Sequence, residues 1–201
     1  MIVAVVLAAG LSTRMKRPKQ TLPIRGNPML ERVLKMFRRS RVDRVVVVLG
    51  ADAGEVMKGI KFQREKVVIN PEYRAGMSSS LRVGLGEVEQ DAEAVIIALG
   101  DQPFVSPNTI DRLLEGHRAS KAPVVVPVYR GVRGNPVLFD RSVFAQLKRI
   151  RGDVGAKSVV ARNKDRVLQV EVDDSGVLID VDTPSDYARA ASRPKRTRGG
   201  A

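Results

Sequence analysis

MIVAVVLAAGLSTRMKRPKQ, residues 1–20, joins an unbroken apolar run to a loop that carries four cations and no acid. Residues 2–9 are apolar throughout and Gly10 follows them, a pattern typical of a central strand of a parallel sheet. The run is too short to span a membrane and no basic residue precedes it, so we do not interpret it as a transmembrane segment or a signal peptide. The stretch therefore predicts an α/β fold.

The loop after this strand suits a polyphosphate. Small residues at Ala8, Ala9 and Gly10 allow a ligand close to the main chain, whose N–H groups can bind anions. The four cations between residues 14 and 19 add attraction for a triphosphate. Neither G-x-x-x-x-G-K-[ST] nor G-x-G-x-x-G is present, and no glycine lies between Gly10 and Gly26. A basic surface loop beside an ordinary strand end is the alternative.

Strand and helix patterns alternate along the rest of the chain. Further strands are predicted at 44–49, 67–69, 94–99, 124–128, 136–139, 167–172 and 178–181. Helices are predicted from Asn27 as N-cap with Pro28 as first residue, at 78–89, 107–119, 141–148 and 154–161, and after Thr183–Pro184. This alternation predicts a three-layer, Rossmann-like α/β fold with a mostly parallel sheet and helices on both faces. We expect one domain over 1–191 and a disordered basic tail over 192–201.

The composition excludes several kinds of site. The chain has no cysteine, so it has no disulfide, zinc-thiolate site or cysteine nucleophile, and its single histidine cannot form a His-rich metal site. A metal would have mainly oxygen ligands, which favours Mg²⁺ or Mn²⁺. The net charge of +13 attracts anions, although a solvated arginine-rich surface explains such an excess equally well. Without a run of transmembrane length, we expect a cytoplasmic protein.

Two acidic motifs follow predicted strands. Asp101 comes just after the strand at 94–99, at the sheet edge where ligands bind in such folds. One carboxylate there can hold Mg²⁺, which takes few protein ligands. Asp180 and Asp182 lie two residues apart at another predicted strand end, and therefore on one face. The alternatives are a simple turn at Asp101, and an N-cap role for Asp182 or Thr183.

Residues 70–81, NPEYRAGMSSSL, form a predicted loop that runs into a helix. Its serines, among them Ser79 and Ser80, and its free N–H groups can contact a base or a phosphate. No histidine lies nearby in the sequence, and we place His117 on the surface of a helix. Serine hydrolase chemistry is therefore not expected.

At this point the motifs resemble a known family. Residues 7–19 resemble the L-A-A-G-x-S-x-R-M-G-x-x-K loop of the nucleotidyltransferases related to the molybdenum-cofactor enzymes, although Lys16 stands where that family usually has glycine. Residues 20–30 resemble the continuation of the loop. The later matching motifs are at 70–81, 99–103, 133–139, 152–157 and 180–184. The resemblance covers nearly all of residues 2–191, and its nearest group is the molybdenum-cofactor cytidylyltransferases.

The resemblance implies transfer of a nucleotidyl group from a nucleoside triphosphate to a phosphorylated acceptor, with release of pyrophosphate. It implies that Mg²⁺, or alternatively Mn²⁺, binds Asp101 and a second carboxylate, Asp182 in preference to Asp180. Arg14, Lys19 and Asp101 are the expected catalytic residues. The expected nucleotide-binding residues are Leu7, Ala8, Ala9, Gly10, Ser12, Arg14, Lys19, Asn70, Ser79 and Ser80.

Ala9 gives the L-A-A-G form of the cytidylyl group, whereas guanylyl relatives tend to have L-A-G-G, so CTP is favoured over GTP. The favoured acceptor is molybdopterin that carries molybdenum, with transient contact to a molybdenum hydroxylase. A sugar or polyol phosphate is the alternative acceptor. A protein that only holds the cofactor for a partner is another reading. A non-catalytic nucleic-acid-binding protein fits the charge, but the chain has no tryptophan and few aromatic residues for base stacking.

Overall fold

The computed structural model describes residues 1–15 and 17–193, and within them it shows a sheet flanked by helices. The strands are β1 (Ile2–Ala8), β2 (Pro23–Ile24), β3 (Asn27–Pro28), β4 (Arg44–Leu49), β5 (Lys66–Ile69), β6 (Ala94–Leu99), β7 (Val124–Tyr129), β8 (Val132–Arg133), β9 (Val137–Asp140) and β10 (Val167–Glu171). The α-helices are α1 (Met29–Arg38), α2 (Ala53–Gly59), α3 (Met77–Gly86), α4 (Pro107–Ser120), α5 (Phe144–Lys148), α6 (Lys157–Arg162) and α7 (Pro184–Ser192).

The main sheet has the strand order β10-β7-β9-β6-β1-β4-β5, and β8 pairs with β7 at its side. β1 pairs in parallel with both β4 and β6, and the pairs β4–β5 and β7–β10 are also parallel. β9 runs antiparallel to β6 and β7. The predicted fold class, a mostly parallel sheet in a three-layer α/β fold, is confirmed.

β1 lies at the centre of the core, and its side chains alternate between the two faces of the sheet. Ile2, Ala4 and Val6 join the cluster under α1, α2 and α4, whereas Val3 and Val5 join the one under α3, α5 and α6. All seven residues of β1 are buried. A strand buried on both faces accounts for the unbroken apolar run at the start of the sequence.

The predicted helix start at Asn27 is wrong, because Asn27 and Pro28 form β3, which pairs antiparallel with β2. The hairpin turns through two residues of positive φ, Arg25 (+52°) and Gly26 (+80°). Met29 N then donates to Leu22 O at 2.9 Å, and α1 begins at Met29. The glycine at the turn therefore indicated the local structure better than the Asn-Pro pair, which resembles the start of a helix.

The predicted strand at 178–181 is also wrong, since a 3-10 turn occupies Ser175–Leu178. The Asp174 carboxylate sets this turn by accepting from Gly176 N at 3.1 Å and from Ser106 N at 2.7 Å.

The helix α2 was not predicted. His117, predicted on a helix surface, is 1% exposed, and its Nε2 lies 2.9 Å from Asp140 Oδ2 on β9.

The predicted cap of the last helix agrees with the structure. Thr183 is the N-cap of α7, and its side chain and backbone exchange hydrogen bonds with Asp186 in a capping box. α7 ends at Ser192, and the rest of the predicted tail, residues 194–201, lies outside the described residues, as does Lys16. None of the described helices is both long enough and apolar enough to cross a membrane.

Candidate active site

A cavity of about 560 Å³ opens at the carboxyl ends of β1 and β6, the edge of the sheet at which ligands bind in this class of fold. One wall is the loop after β1. Three acidic side chains, Asp101, Asp180 and Asp182, line another part of it. The remaining polar residues on its walls are Lys19, Gln20, Tyr73, Arg74, Ser80, Asn135, Asp153 and Lys157.

The loop after β1 folds back on itself so that Lys19 points into the cavity. Lys19 N donates to Ser12 Oγ at 3.2 Å, which closes the loop. Gln20 is 2% exposed, and its Nε2 donates to Ala8 O at 2.8 Å. Ser12 and Gln20 thus hold the backbone of Lys19 in place. Ser12 was predicted as a contact to the nucleotide, and Gln20 was not predicted as a site residue. The bond of Gln20 to Ala8 joins residues twelve positions apart, and no local sequence pattern indicates it.

Lys19 lies between two carboxylates that are far apart in the sequence. Its Nζ donates to Asp101 Oδ2 at 2.7 Å and to Asp182 Oδ1 at 2.6 Å. Val181 N donates to Asp101 O at 3.0 Å, and this backbone bond brings the two acidic segments together. Three of the residues predicted for catalysis and metal binding therefore meet at one point.

Asp180 belongs to the same acidic group but has a different partner. Its Oδ1 accepts from Gln102 Nε2 at 2.5 Å, whereas the ion pairs of Lys19 are with Asp101 and Asp182. This contact supports the preference for Asp182 over Asp180 as the residue beside Asp101. Because no strand is present at 178–181, the two carboxylates do not share a strand face as predicted.

The electrostatics of the group favour an added cation. Burial raises the pKa of Asp101, and the nearby Asp182 and Asp180 raise it further against the opposing effect of Lys19. Burial alone would lower the pKa of Lys19, but Asp101 and Asp182 outweigh that effect and raise it. One ammonium thus stands among three carboxylates, and negative charge is in excess.

The residues present fit a divalent metal with few protein ligands. Asp101 Oδ1 is buried and has no hydrogen-bond partner, so it is available to a ligand. Among the described residues no group of three or more acidic or histidine side chains is arranged to enclose a metal. Two carboxylates with open positions match Mg²⁺ or Mn²⁺ bound jointly by protein and substrate phosphates, rather than a closed protein cage.

Not all predicted site residues line the cavity. Leu7, Ala8, Ala9, Gly10, Lys19 and Ser80 do, together with the three aspartates. Arg14 is exposed and Ser12 supports the loop, and neither is part of the cavity wall.

Asn70 and Ser79 lie behind the wall of the cavity. Asn70 Nδ2 donates to Ser79 Oγ at 2.8 Å and to Ser80 Oγ at 2.9 Å, and all three residues are buried. This network fixes the start of α3. It thereby positions Ser80, the member of the network that reaches the cavity.

The mouth of the cavity is formed by two loops in direct contact, one before α3 and one before α6. Met77 N donates to Asp153 Oδ1 at 2.9 Å. Gly76 has a φ of +93°, and a Cβ there would lie 2.7 Å from Gly152 C, so glycine allows the close approach. Both segments resemble family motifs, but Arg74 and Lys157, the cations that line the cavity from these loops, were not predicted as site residues.

Comparison with known proteins agrees with this geometry. Residues 4–167 match the model of the MobA-like NTP transferase domain. The nicotine blue oxidoreductase of Paenarthrobacter nicotinovorans is 30% identical over 94% of this chain and 95% of its own length. The molybdenum cofactor cytidylyltransferase of Escherichia coli K12 is 24% identical, again over 94% and 95%. The crystal structure of Rv0371c from Mycobacterium tuberculosis H37Rv in complex with manganese superposes with a TM-score of 0.83 at 36% identity, over 94% of this chain and 97% of that one.

A match over residues 4–167 takes in the loop after β1, Asp101 and both loops at the mouth of the cavity. The chain therefore belongs to the MobA-like NTP transferase family and is an enzyme of the nucleotidyltransferase class.

Proposed function

We propose that the protein is a metal-dependent cytidylyltransferase that transfers CMP from CTP to the phosphate of molybdenum-bearing molybdopterin and releases pyrophosphate. The observation that carries the proposal is the meeting of Lys19, Asp101 and Asp182 in a cavity of about 560 Å³. A cation and two carboxylates beside a phosphate loop are the groups that phosphoryl chemistry requires.

The proposed step is an in-line displacement. An oxygen of the acceptor phosphate forms a bond to the α-phosphorus of CTP, the bond from that phosphorus to the bridging oxygen breaks, and pyrophosphate leaves with the electron pair. The acceptor oxygen is largely ionised at neutral pH, because its second pKa is about 6. No general base is needed, and His117, the single histidine of the chain, packs against Asp140 outside the cavity.

The residues of the chain act by position and charge. Lys19 neutralises a phosphate of the nucleotide, and the main chain at Ala8, Ala9 and Gly10 lets the phosphates approach closely. Asp101 and Asp182 hold the divalent metal, which when bound supplies positive charge to the phosphates during transfer. Manganese in the Rv0371c complex supports a divalent cation in this family, and Mg²⁺ is the proposed physiological one.

The acceptor phosphate is assigned to the mouth of the cavity. Arg74 stacks on the ring of Tyr73, with 5.4 Å from the guanidinium carbon to the ring centroid, and forms no ion pair with a described residue. Lys157 likewise has no described ion-pair partner. Two cations without an ion-pair partner among the described residues suit a second anion beside these loops. Met77 and Val154 give the same mouth an exposed apolar rim that can cover a ring system.

The identity of the base and acceptor is supported less directly. Ala9 places a methyl group on the cavity wall, as in the L-A-A-G form of the cytidylyl group, and the Escherichia coli relative acts as a cytidylyltransferase by name. GTP and a sugar or polyol phosphate are the competing substrates. The 30% identical relative carries the name of an oxidoreductase, so the test includes a redox reaction as an outcome. Delivery of the product to a molybdenum hydroxylase belongs to the same proposal.

The experiment is a thermal shift assay with CTP, GTP, ATP and UTP, each with and without Mg²⁺, followed by assays of pyrophosphate release with molybdenum-bearing molybdopterin and of turnover with a nicotinamide cofactor. A nucleotide at 100 times its dissociation constant stabilises the fold by about 2.7 kcal/mol, and we expect that shift for CTP with Mg²⁺. The variant Asp101→Ala should lose it. A larger shift with GTP would move the base assignment, and turnover only with a nicotinamide cofactor would overturn the transferase proposal.

A further inference from the structure

The ammonium of Lys19 binds one oxygen of each of two carboxylates. It is 2.7 Å from Asp101 Oδ2 and 2.6 Å from Asp182 Oδ1, while the side chains of Lys19 and Asp101 are only 15% and 17% exposed. These are the two carboxylates that the proposed function assigns to the metal. Asp101 Oδ1 has no hydrogen-bond partner, but a divalent ion bound there would lie close to the ammonium on the other oxygen of the same carboxylate, and two cations so close repel each other strongly.

The backbone of Lys19 is fixed while its side chain is free to change partner. Ser12 Oγ accepts from Lys19 N, and the next residue, Gln20, is anchored to β1 through Ala8 O. The four-carbon stem of lysine has many rotamers, so its ammonium can move several ångströms without any shift of the main chain. The loop that carries Lys19 is also the loop proposed to bind the nucleotide phosphates.

We propose that Lys19 is a resident counter-ion of Asp101 and Asp182, that a divalent metal binds only when the ammonium leaves, and that the polyphosphate gives the ammonium its next partner. Metal alone then binds weakly, because it must break two ion pairs without replacing them. Metal and nucleotide promote each other's binding by the same factor, as linkage requires. The inference rests on the proposed function, since it assumes that a triphosphate occupies the cavity.

The test measures Mn²⁺ binding directly, by the loss of the electron paramagnetic resonance signal of free Mn²⁺. The probes are Mn²⁺ alone and Mn²⁺ with α,β-methylene CTP, an analogue that cannot be turned over. The variants Lys19→Met and Lys19→Gln remove the charge, and Gln keeps hydrogen-bond donors in case the Met variant fails to fold. Lys157→Met is the matched control, because it removes an equal charge from the same cavity without touching Asp101 or Asp182.

We expect both Lys19 variants to bind Mn²⁺ alone about 10-fold more tightly than the unchanged protein, a factor within the usual range for coupling between sites. The added analogue should then enhance Mn²⁺ binding less in the variants than in the unchanged protein. Lys157→Met should change the affinity for Mn²⁺ alone by much less. A folded Lys19→Gln protein whose affinity for Mn²⁺ is unchanged or weaker would overturn the counter-ion role.

Mn²⁺ affinity and the melting temperature distinguish a wrong counter-ion role for Lys19 from a wrong proposed function. If the analogue binds the unchanged protein and Lys19→Gln leaves Mn²⁺ affinity as it was, the nucleotide site stands and the counter-ion role is wrong. If neither the analogue nor any of the four triphosphates shifts the melting temperature, the proposed function itself fails. In that case tighter binding of Mn²⁺ alone by Lys19→Gln would still support the displacement of Lys19 by metal.

Discussion

Lys19 Nζ lies 2.7 Å from Asp101 Oδ2, although the two residues are 82 positions apart in the sequence. The contact spans the carboxyl ends of two adjacent parallel strands, since β1 leads into the loop of Lys19 and β6 leads into Asp101. Asp182 joins them from the segment before α7. The charged groups of the cavity are therefore brought together by sheet topology from three separate parts of the chain.

The first prediction concerns Asp101→Asn, which keeps the shape of the side chain and removes its charge. We expect pyrophosphate release in the complete reaction to fall about 100-fold or more, the loss typical of removing one charge-stabilising group. The Mg²⁺-dependent thermal shift with CTP should disappear as well. Asp91→Asn is the control, because Asp91 is a surface carboxylate paired with Arg44. Comparable loss in both variants would argue against a role for Asp101 in the site.

A second prediction tests the acceptor end of the cavity. Arg74→Gln and Lys157→Met should each raise the KM for the acceptor about 10-fold, because each removes one charge-assisted contact to a phosphate. The KM for CTP should stay within a factor of two, which corresponds to a free-energy change of roughly 0.4 kcal/mol, because neither side chain is assigned a contact to the nucleotide. Steady-state kinetics with one substrate varied at a time separates the two constants.

Lys148→Met is the control for these variants. Lys148 is a surface lysine that pairs with Glu89 at 2.9 Å, outside the cavity, so both constants should be unaffected. A rise in the KM for CTP in Arg74→Gln or Lys157→Met, with the acceptor constant unchanged, would place the nucleotide at the mouth and reverse the assigned orientation of the substrates.

Two of the buried strands were predictable to the residue. The predicted bounds 44–49 and 94–99 coincide with β4 and β6, because each run is buried between two layers and ends at Gly50 or Gly100. Asp101 was also named from its position after a strand, whereas Asp182 was named from a motif, because no strand is present at 178–181. The loop of cations and the carboxylate that follows a strand could be predicted because each is a pattern within one short segment of the sequence.

The features that sequence reasoning missed depend on contacts between distant segments. His117 was placed on a surface, yet it is buried and has a partner 23 residues away in Asp140 of β9. Asn70 and Ser79 were expected to touch nucleotide, yet they bond to each other behind the cavity wall. The ion pairs of Lys19 with two carboxylates could not be predicted from a local sequence pattern either, since its partners lie 82 and 163 residues away.

The capping box of α7 gives a third prediction. Thr183→Ala removes the hydroxyl that accepts from Asp186 N at 3.1 Å and donates to Asp186 Oδ2 at 2.7 Å, and should destabilise the fold by about 1 kcal/mol. Ser185→Ala in the same first turn is the control, because its hydroxyl contacts only Arg189, at 3.5 Å. Urea denaturation measures both variants. Equal stability of the two would show that the cap does not hold α7.

The same cap predicts a pH dependence. The hydrogen bond from the Thr183 side chain is the main cause that lowers the pKa of Asp186 below its ordinary value. A carboxyl with a lowered folded pKa contributes stability above its unfolded pKa, and that contribution is lost as pH falls through the folded value. The cost of Thr183→Ala should therefore shrink in acid. A cost that grows as the pH falls would contradict the assigned role of Asp186.

A pair of glycines on α3 tests how tightly the helix packs on the sheet. A Cβ at Gly84 would lie 2.4 Å from Val5 Cγ1 and 2.9 Å from Val48 Cγ2, on two adjacent central strands. Both valines are fully buried, so neither can move aside without disturbing β1 or β4. Gly84→Ala should therefore destabilise the protein by about 1–3 kcal/mol through overpacking.

Gly86→Ala separates this packing effect from the backbone preference of alanine. Nothing lies within 4 Å of a Cβ at Gly86, so that variant should be neutral or more stable by up to about 1 kcal/mol, because alanine favours helix over glycine. Urea midpoints at a fixed pH rank the two variants. Since α3 carries Ser80 into the cavity, Gly84→Ala should also weaken nucleotide binding if the helix shifts outward. A Gly84→Ala protein as stable as Gly86→Ala would mean that α3 does not rest against β1 and β4 as closely as these distances require.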